Sequence, residues 1–286
     1  MKYTFGKFIK TFWVSLMIAP LPATKLNEVI EYFGAPGIKD LNPFSLTGKK
    51  KTELKKSMMA LIPNDPVDAH TGLGIIYAYE NQYELSINEF KTAFIKSKGG
   101  FYESLHFANY LFIFGHYKEA INLYLSVENN SNEEVFLEIT NRLISYCFKD
   151  EINTLFEKSI FSKKISEDIL HKLSEMDEII VFLNKYDIPI SFFRDVISVQ
   201  NRVFYRYYSL PTVSDITLYH EWDLQTIGYS IDLDLESIGG NYEFIANMND
   251  ELQDMLIDVY EEHKIALGSD KDRITVYFKL SDEVAA

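Results

Sequence analysis

Cysteine is nearly absent from this chain of 286 residues, and the single Cys147 excludes an internal disulfide and any metal site built on several thiolates. Stability must come from packing, and a reducing compartment suits such a chain. Tryptophan is also scarce, with 2 residues against 19 Tyr and 21 Phe, so large buried area is supplied by phenyl and phenol rings. No run approaches the roughly 18 apolar residues of a membrane-spanning helix. The six histidines are scattered, none with a second histidine three or four residues away as a helical zinc motif needs. Gly239-Gly240 reads as a turn, since neither a phosphate-binding glycine pattern nor a Walker lysine follows. No catalytic signature stands out, and no cofactor is expected.

With 47% hydrophobic and 24% charged residues, the chain has the composition of a globular protein of one large or two ordinary domains. The formal net charge of −14 is unevenly spread. Residues 1–60 carry ten basic and four acidic groups, a balance of +6, whereas 201–286 carry six basic and seventeen acidic groups, a balance of −11. Such polarity steers a basic partner to the C-terminal part, draws an anionic surface to the N-terminal part, or serves solubility alone.

Near the start, Lys2, Lys7 and Lys10 precede an apolar run and Pro20-Leu21-Pro22-Ala23, the outline of a secretory signal. The spacing of Phe5, Phe8, Ile9, Phe12, Trp13, Leu16 and Met17 is instead that of an amphipathic helix, suited to capping a helical stack or lying on a membrane surface. A cytoplasmic protein is expected, with export or membrane association through residues 1–23 as the alternative.

A second helix is predicted from Thr24 to Phe33. Residues 38–49, with Asn42-Pro43 and Gly48, read as a basic loop, and a third helix is predicted from Thr52 to Ile62. The lysine cluster 49–51 and 55–56 lacks interleaved aromatics, so no nucleic acid is expected.

The most informative pattern is internal. A shift of 34 residues superimposes Leu73-Gly74 on Phe107-Ala108, and Tyr83, Ser86, Ile87 and Phe90 on Tyr117, Ala120, Ile121 and Tyr124. These segments resemble the tetratricopeptide repeat (TPR), whose pattern is met by Leu73, Gly74, Tyr77, Tyr83, Phe90 and Ala93 in the unit from Val67, and by Ala108, Gly115, Tyr117, Ala120 and Tyr124 in the unit from Phe101. The two units span residues 67–134, and 135–158 is a degenerate third. His70 and Ser104 replace the family's aromatic, and Lys98 and Asn132 replace its closing proline.

The resemblance implies an α-solenoid of helical hairpins whose first helices line a groove for a protein or peptide. The groove positions are Asp68, Thr71, Ile75 and Tyr79, then Tyr102, Leu105, Asn109 and Phe112. Members that grip a C-terminal carboxylate carry Lys and Asn where Thr71 and Ile75 stand, so chaperone-tail recognition is not implied. A helix of the chain itself filling the groove is the competing expectation.

After the repeats, helical stripes are predicted at Ile169–Met176 and Ile179–Phe182, then a helix capped by Ser191. Past Leu210-Pro211 the period becomes two: Ile227, Tyr229, Ile231, Leu233 and Leu235 alternate with polar residues, as do Ile274, Val276, Phe278 and Leu280. A strand near Ile216–His220 and a helix capped by Asn249 complete a small sheet-plus-helix part.

The overall class is mainly α with a small α+β part. Its predicted divisions are a helical cap (1–63), a TPR-like helical domain (64–209) and an acidic α+β domain (210–286). The expected role is non-catalytic: an adaptor, chaperone or neutralising binder of a protein or peptide, with a basic partner fitting the acidic C-terminal part. Two alternatives stay open. Asp232, Asp234 and Glu236 share one face of a strand and would suit a divalent-metal nuclease or phosphohydrolase, unless Arg273 and Lys279 neutralise them. The other is a peripheral membrane protein anchored by residues 5–17.

Overall fold

The computed structural model describes residues 25–33, 37–126, 132–159, 167–209, 214–221, 224–233 and 242–280. They form eleven helices and one three-stranded sheet, so the chain is mainly α with a small β part. Two compact units emerge: described residues 25–126 with 204–209, and 132–203 with 214–280.

The first unit contains α1 (Lys25–Phe33), α2 (Leu46–Leu61), α3 (Pro66–Tyr79), α4 (Tyr83–Lys96), α5 (Phe101–Ile113) and α6 (Tyr117–Ser126). Each helix packs on the next, and α1 also packs on α3. Three residues separate α3 from α4 and α5 from α6, which forces each pair into an antiparallel hairpin. The middle turn residue is left-handed in both, Asn81 at φ 60° and Gly115 at φ 91°, 34 positions apart. The same bonds close both turns. Gln82 N–H donates to Tyr77 C=O at 2.9 Å and His116 N–H to Leu111 C=O at 2.8 Å.

α2 begins six residues earlier than the predicted Thr52. Ser45 caps it by accepting from Gly48 N–H at 2.9 Å, and Gly48, expected in a loop, lies in the first turn. A Cβ there would sit 2.4 Å from the Asn42 carbonyl oxygen, so only glycine permits this approach.

The second unit contains α7 (Glu133–Ser145), α8 (Lys149–Lys158), α9 (Glu167–Lys185), α10 (Ile190–Tyr207, to residue 203), β1 (Ser214–Glu221), β2 (Leu224–Leu233), α11 (Tyr242–His263) and β3 (Ile274–Leu280). α7 and α8 form a third hairpin, and Phe148 N–H donates to Leu143 C=O at 2.9 Å to close its turn. The left-handed residue of that turn is Cys147, at φ 54°. It stands two positions earlier than the 34-residue phase would place it.

The two apolar stretches from Ile169 and Ile179 belong to one continuous helix, α9, and α10 starts at Ile190 rather than after a Ser191 cap. In the sheet, β1 pairs antiparallel with β2 (Ile216 opposite Tyr229), and β2 pairs parallel with β3 (Tyr229 opposite Val276). The parallel pair requires a crossover, which α11 supplies. Ile227, Tyr229, Ile231, Leu233, Ile274, Val276 and Phe278 are buried, as the alternation predicts, but Gly228 and Ser230 on the opposite face of β2 are buried as well.

Asn249 lies inside α11, not at its start. Its amide accepts from Phe278 N–H at 2.8 Å and donates to Phe278 C=O at 3.0 Å, which satisfies two backbone groups of β3. Gln200 of α10 is fully buried and donates to the carbonyls of Tyr229 (3.1 Å) and Tyr277 (2.8 Å).

Candidate functional site

Close approach of the paired helices depends on small residues. A Cβ on Gly74 would lie 2.9 Å from three ring atoms of Phe90, and that ring is 1% exposed. Ser86 donates its hydroxyl to the Gly74 carbonyl at 2.8 Å across the same contact. The second hairpin uses Ala108 and Ala120, both fully buried. These contacts decide which face of each first helix points inward.

Six of the eight predicted groove residues, Thr71, Ile75, Tyr79, Leu105, Asn109 and Phe112, are buried. Phe33 of α1 packs on Tyr79 with ring centres 4.8 Å apart, and the Asp40 N–H donates to the Tyr79 hydroxyl at 2.8 Å. Met58 of α2 fills the space beside Gly72, where a Cβ would meet its sulfur at 2.3 Å. The Tyr124 hydroxyl donates to the side-chain carbonyl of Asn109, so this polar groove position is already bonded within the fold. Phe112 lies 6.4 Å from the Tyr124 ring.

The N-terminal end of that face stays open. Tyr102 is 54% exposed and Asp68, its counterpart 34 residues earlier, is half-buried. The Asp68 carboxyl is held above the usual carboxylate range by burial first, then by repulsion from Asp65 and Glu103. Asp65 and Glu103 join the site through this interaction, a consequence of helix packing that spacing alone does not reveal. Tyr102 thus stands exposed one residue before Glu103, and Glu103 and Asp65 act together on the Asp68 carboxyl. The arrangement offers an apolar contact and a local negative field to a cationic side chain.

Other ionisable groups nearby serve the fold. His70 Nδ1 lies 2.6 Å from a Glu89 carboxylate oxygen and links α3 to α4. Burial pushes His106 down to about 4, so its ring is neutral near pH 7. Lys39 Nζ donates to the carbonyls of Ala78 (3.0 Å) and Tyr205 (2.5 Å) and to Asn81 Oδ1 (2.8 Å), and burial pushes it down to about 7. Both carbonyls lie near helix C-termini, where positive charge is favoured.

In the second unit, Asp232 pairs with Lys279 at 3.4 Å and accepts from the Ser230 hydroxyl at 3.0 Å. This is the cross-strand neutralisation that competes with metal binding. Asp234 and Glu236 lie outside the described residues, as do residues 5–17. Among the described residues no group of three or more His, Cys, Asp or Glu side chains is placed to hold a metal ion. Cys147 is buried and its thiol is pushed up to about 12 by that burial, which makes it a poor nucleophile. No helix among the described residues is long and apolar enough to cross a membrane.

No family model, curated protein or solved structure matches the chain.

Proposed function

We propose that this chain is a non-catalytic interaction protein whose helical hairpins are of the TPR type, acting as an adaptor, chaperone or neutralising binder in the cytoplasm. The 34-residue recurrence of the second-helix starts, Tyr83 and Tyr117, of the left-handed turn residues and of the small-residue contacts supports the repeat assignment. The binding surface lies at the open end of the first-helix face, on Asp68 and Tyr102, and not along the whole predicted groove.

One observation carries this reading: Tyr102 stands exposed next to Glu103, whose charge is felt by Asp68 on the neighbouring hairpin. An exposed aromatic within a negative field suits a partner segment with a basic residue beside an apolar one. Capture from native lysate with wild-type bait, a Tyr102→Ala bait and an Asp68→Lys, Glu103→Lys bait tests it. At least one protein is expected to be retained by the wild type and lost from both variants. Identical profiles for the three baits would refute the assignment of this surface.

A further inference from the structure

The segment joining α1 to α2 exposes apolar side chains that its own hydrogen bonds hold outward. Phe44 is 86% exposed and Leu46 is 83% exposed, and Leu41 next to them is also exposed. Asp40 Oδ1 accepts from Asn42 N–H at 3.0 Å, Asn42 Oδ1 accepts from Phe44 N–H at 3.0 Å, and the Ser45 hydroxyl donates to Asn42 C=O at 2.8 Å. The Asp40 N–H bond to Tyr79 anchors the base of this turn on α3. Leu41 and Phe44 are thus presented on an organised loop, and Leu46 on the first turn of α2, instead of folding back on the core.

Behind the loop, α2 carries Lys49 and Lys56 two turns apart on one exposed face, with Thr52 and the exposed Glu53 between them. The other lysines of the helix are engaged: Lys50 with Glu28 and Glu53, Lys51 and Lys55 with Glu80. α2 as a whole carries five lysines against the single Glu53, a local excess of positive charge in a chain of net charge −14.

We propose that the tip formed by Leu41, Phe44 and Leu46, flanked by Lys49 and Lys56, docks the protein on an anionic lipid surface. A bilayer with acidic headgroups offers apolar material beneath a negative layer, which matches apolar side chains ahead of ammonium groups. A nucleic acid has no aliphatic layer for the two leucines. A protein partner would need a concave apolar pocket with an acidic rim, and its capture is an outcome of the test. The overall negative charge repels the rest of the chain from the same surface, so docking is oriented and depends on salt.

Sedimentation of the full chain with vesicles of phosphatidylcholine, alone or containing about one third phosphatidylserine, measures this. Wild-type protein is expected to pellet with the mixed vesicles only, and to be released at about 0.5 M salt, where the Debye length falls to a few ångströms. Phe44→Ser with Leu46→Ser, and separately Lys49→Glu with Lys56→Glu, should each weaken binding at least about tenfold. Their circular dichroism should match the wild type because these side chains are exposed. Phe12→Ser with Trp13→Ser should leave binding in place. Failure of the wild type to pellet, binding that survives the Phe44 and Leu46 changes, or loss only with the Phe12 and Trp13 changes would each overturn the proposal. So would capture of a protein partner that depends on Phe44 while the vesicles bind nothing.

Discussion

The two hairpins of the first unit share a 34-residue phase but close their interfaces with different chemistry. In α3 and α4, Gly74 admits the Phe90 ring and the Ser86 hydroxyl bonds to the Gly74 carbonyl. In α5 and α6, alanines stand at 108 and 120, and Tyr124, the counterpart of Phe90, turns its hydroxyl to Asn109, the counterpart of Ile75. Each hairpin joins a buried ring to a buried hydrogen bond, which ends on a backbone carbonyl in the first and on a side-chain amide in the second. A repeat pattern therefore specifies where size must be small and where a ring must fall, while the atoms that complete the contact vary.

The largest expected effect removes the ring from the first hairpin. Phe90→Ala should cost about 3–5 kcal/mol in chemical denaturation, because Phe90 also stacks on Tyr110 at 4.2 Å and leaves a cavity between α4 and α5. Gly74→Ala should follow at about 1–3 kcal/mol through overpacking, with much of the loss recovered in Gly74→Ala, Phe90→Leu. At the equivalent position of the second hairpin, Ala108→Gly should cost about 1 kcal/mol from helix propensity. A Gly74→Ala chain as stable as wild type would break the comparison.

Tyr124→Phe should cost about 1–2 kcal/mol, since it leaves the Asn109 oxygen buried without its donor. Tyr124→Phe, Asn109→Leu should cost less than the single change if that bond is the distinguishing feature of the second hairpin. A double-mutant cycle read by urea denaturation checks this.

The smallest effect is a difference in pH response. His106 has Gly72 as its counterpart, and burial holds its folded value near 4, below the ordinary 6.5. The unfolded chain takes up a proton below pH 6.5 that the folded chain refuses until about pH 4. Stability should therefore fall as pH drops through that window, with no contribution above it. Melting temperatures at pH 7 and pH 5 should differ less in His106→Gln than in wild type. Lys39 acts in a separate window: its folded value of about 7 lies below 10.5, so its contribution to stability grows as pH rises from 7 towards 10.5.

Much of the fold was legible because its signals are local. The period-two alternation around Ile227 and Ile274 marked β2 and β3, and the small residues Gly74 and Ala108 marked the hairpin contacts. What departs from the sequence expectation depends on contacts that residue type and spacing do not show. Gly48 resembles a loop residue until Asn42 is seen to approach it, and Asn249 resembles a cap until Phe278 is seen to occupy its amide. Cys147 gives no turn signal at all, yet it holds the left-handed position that Asn81 and Gly115 hold in the earlier turns.

The candidate site was legible only at its edge. Asp68 and Tyr102 stay accessible, whereas Ile75, Leu105 and Phe112 have the apolar character of a groove lining and are buried. Apolar side chains satisfy a core and a binding surface equally well in a sequence pattern. Only the position of Phe33, Met58 and Tyr124 against those helices separates the two.

Site-specific photo-crosslinking tests the interaction claim most directly. A photoreactive phenylalanine analogue replaces Tyr102 in one full-length protein and Tyr242, which is also exposed but lies at the start of α11, in another. Irradiation in native lysate should give a discrete crosslinked partner from position 102, abolished by Asp68→Lys with Glu103→Lys, and none of the same mass from position 242. Crosslinks from 242 alone, or an adduct at 102 indifferent to the two charge reversals, would contradict the account.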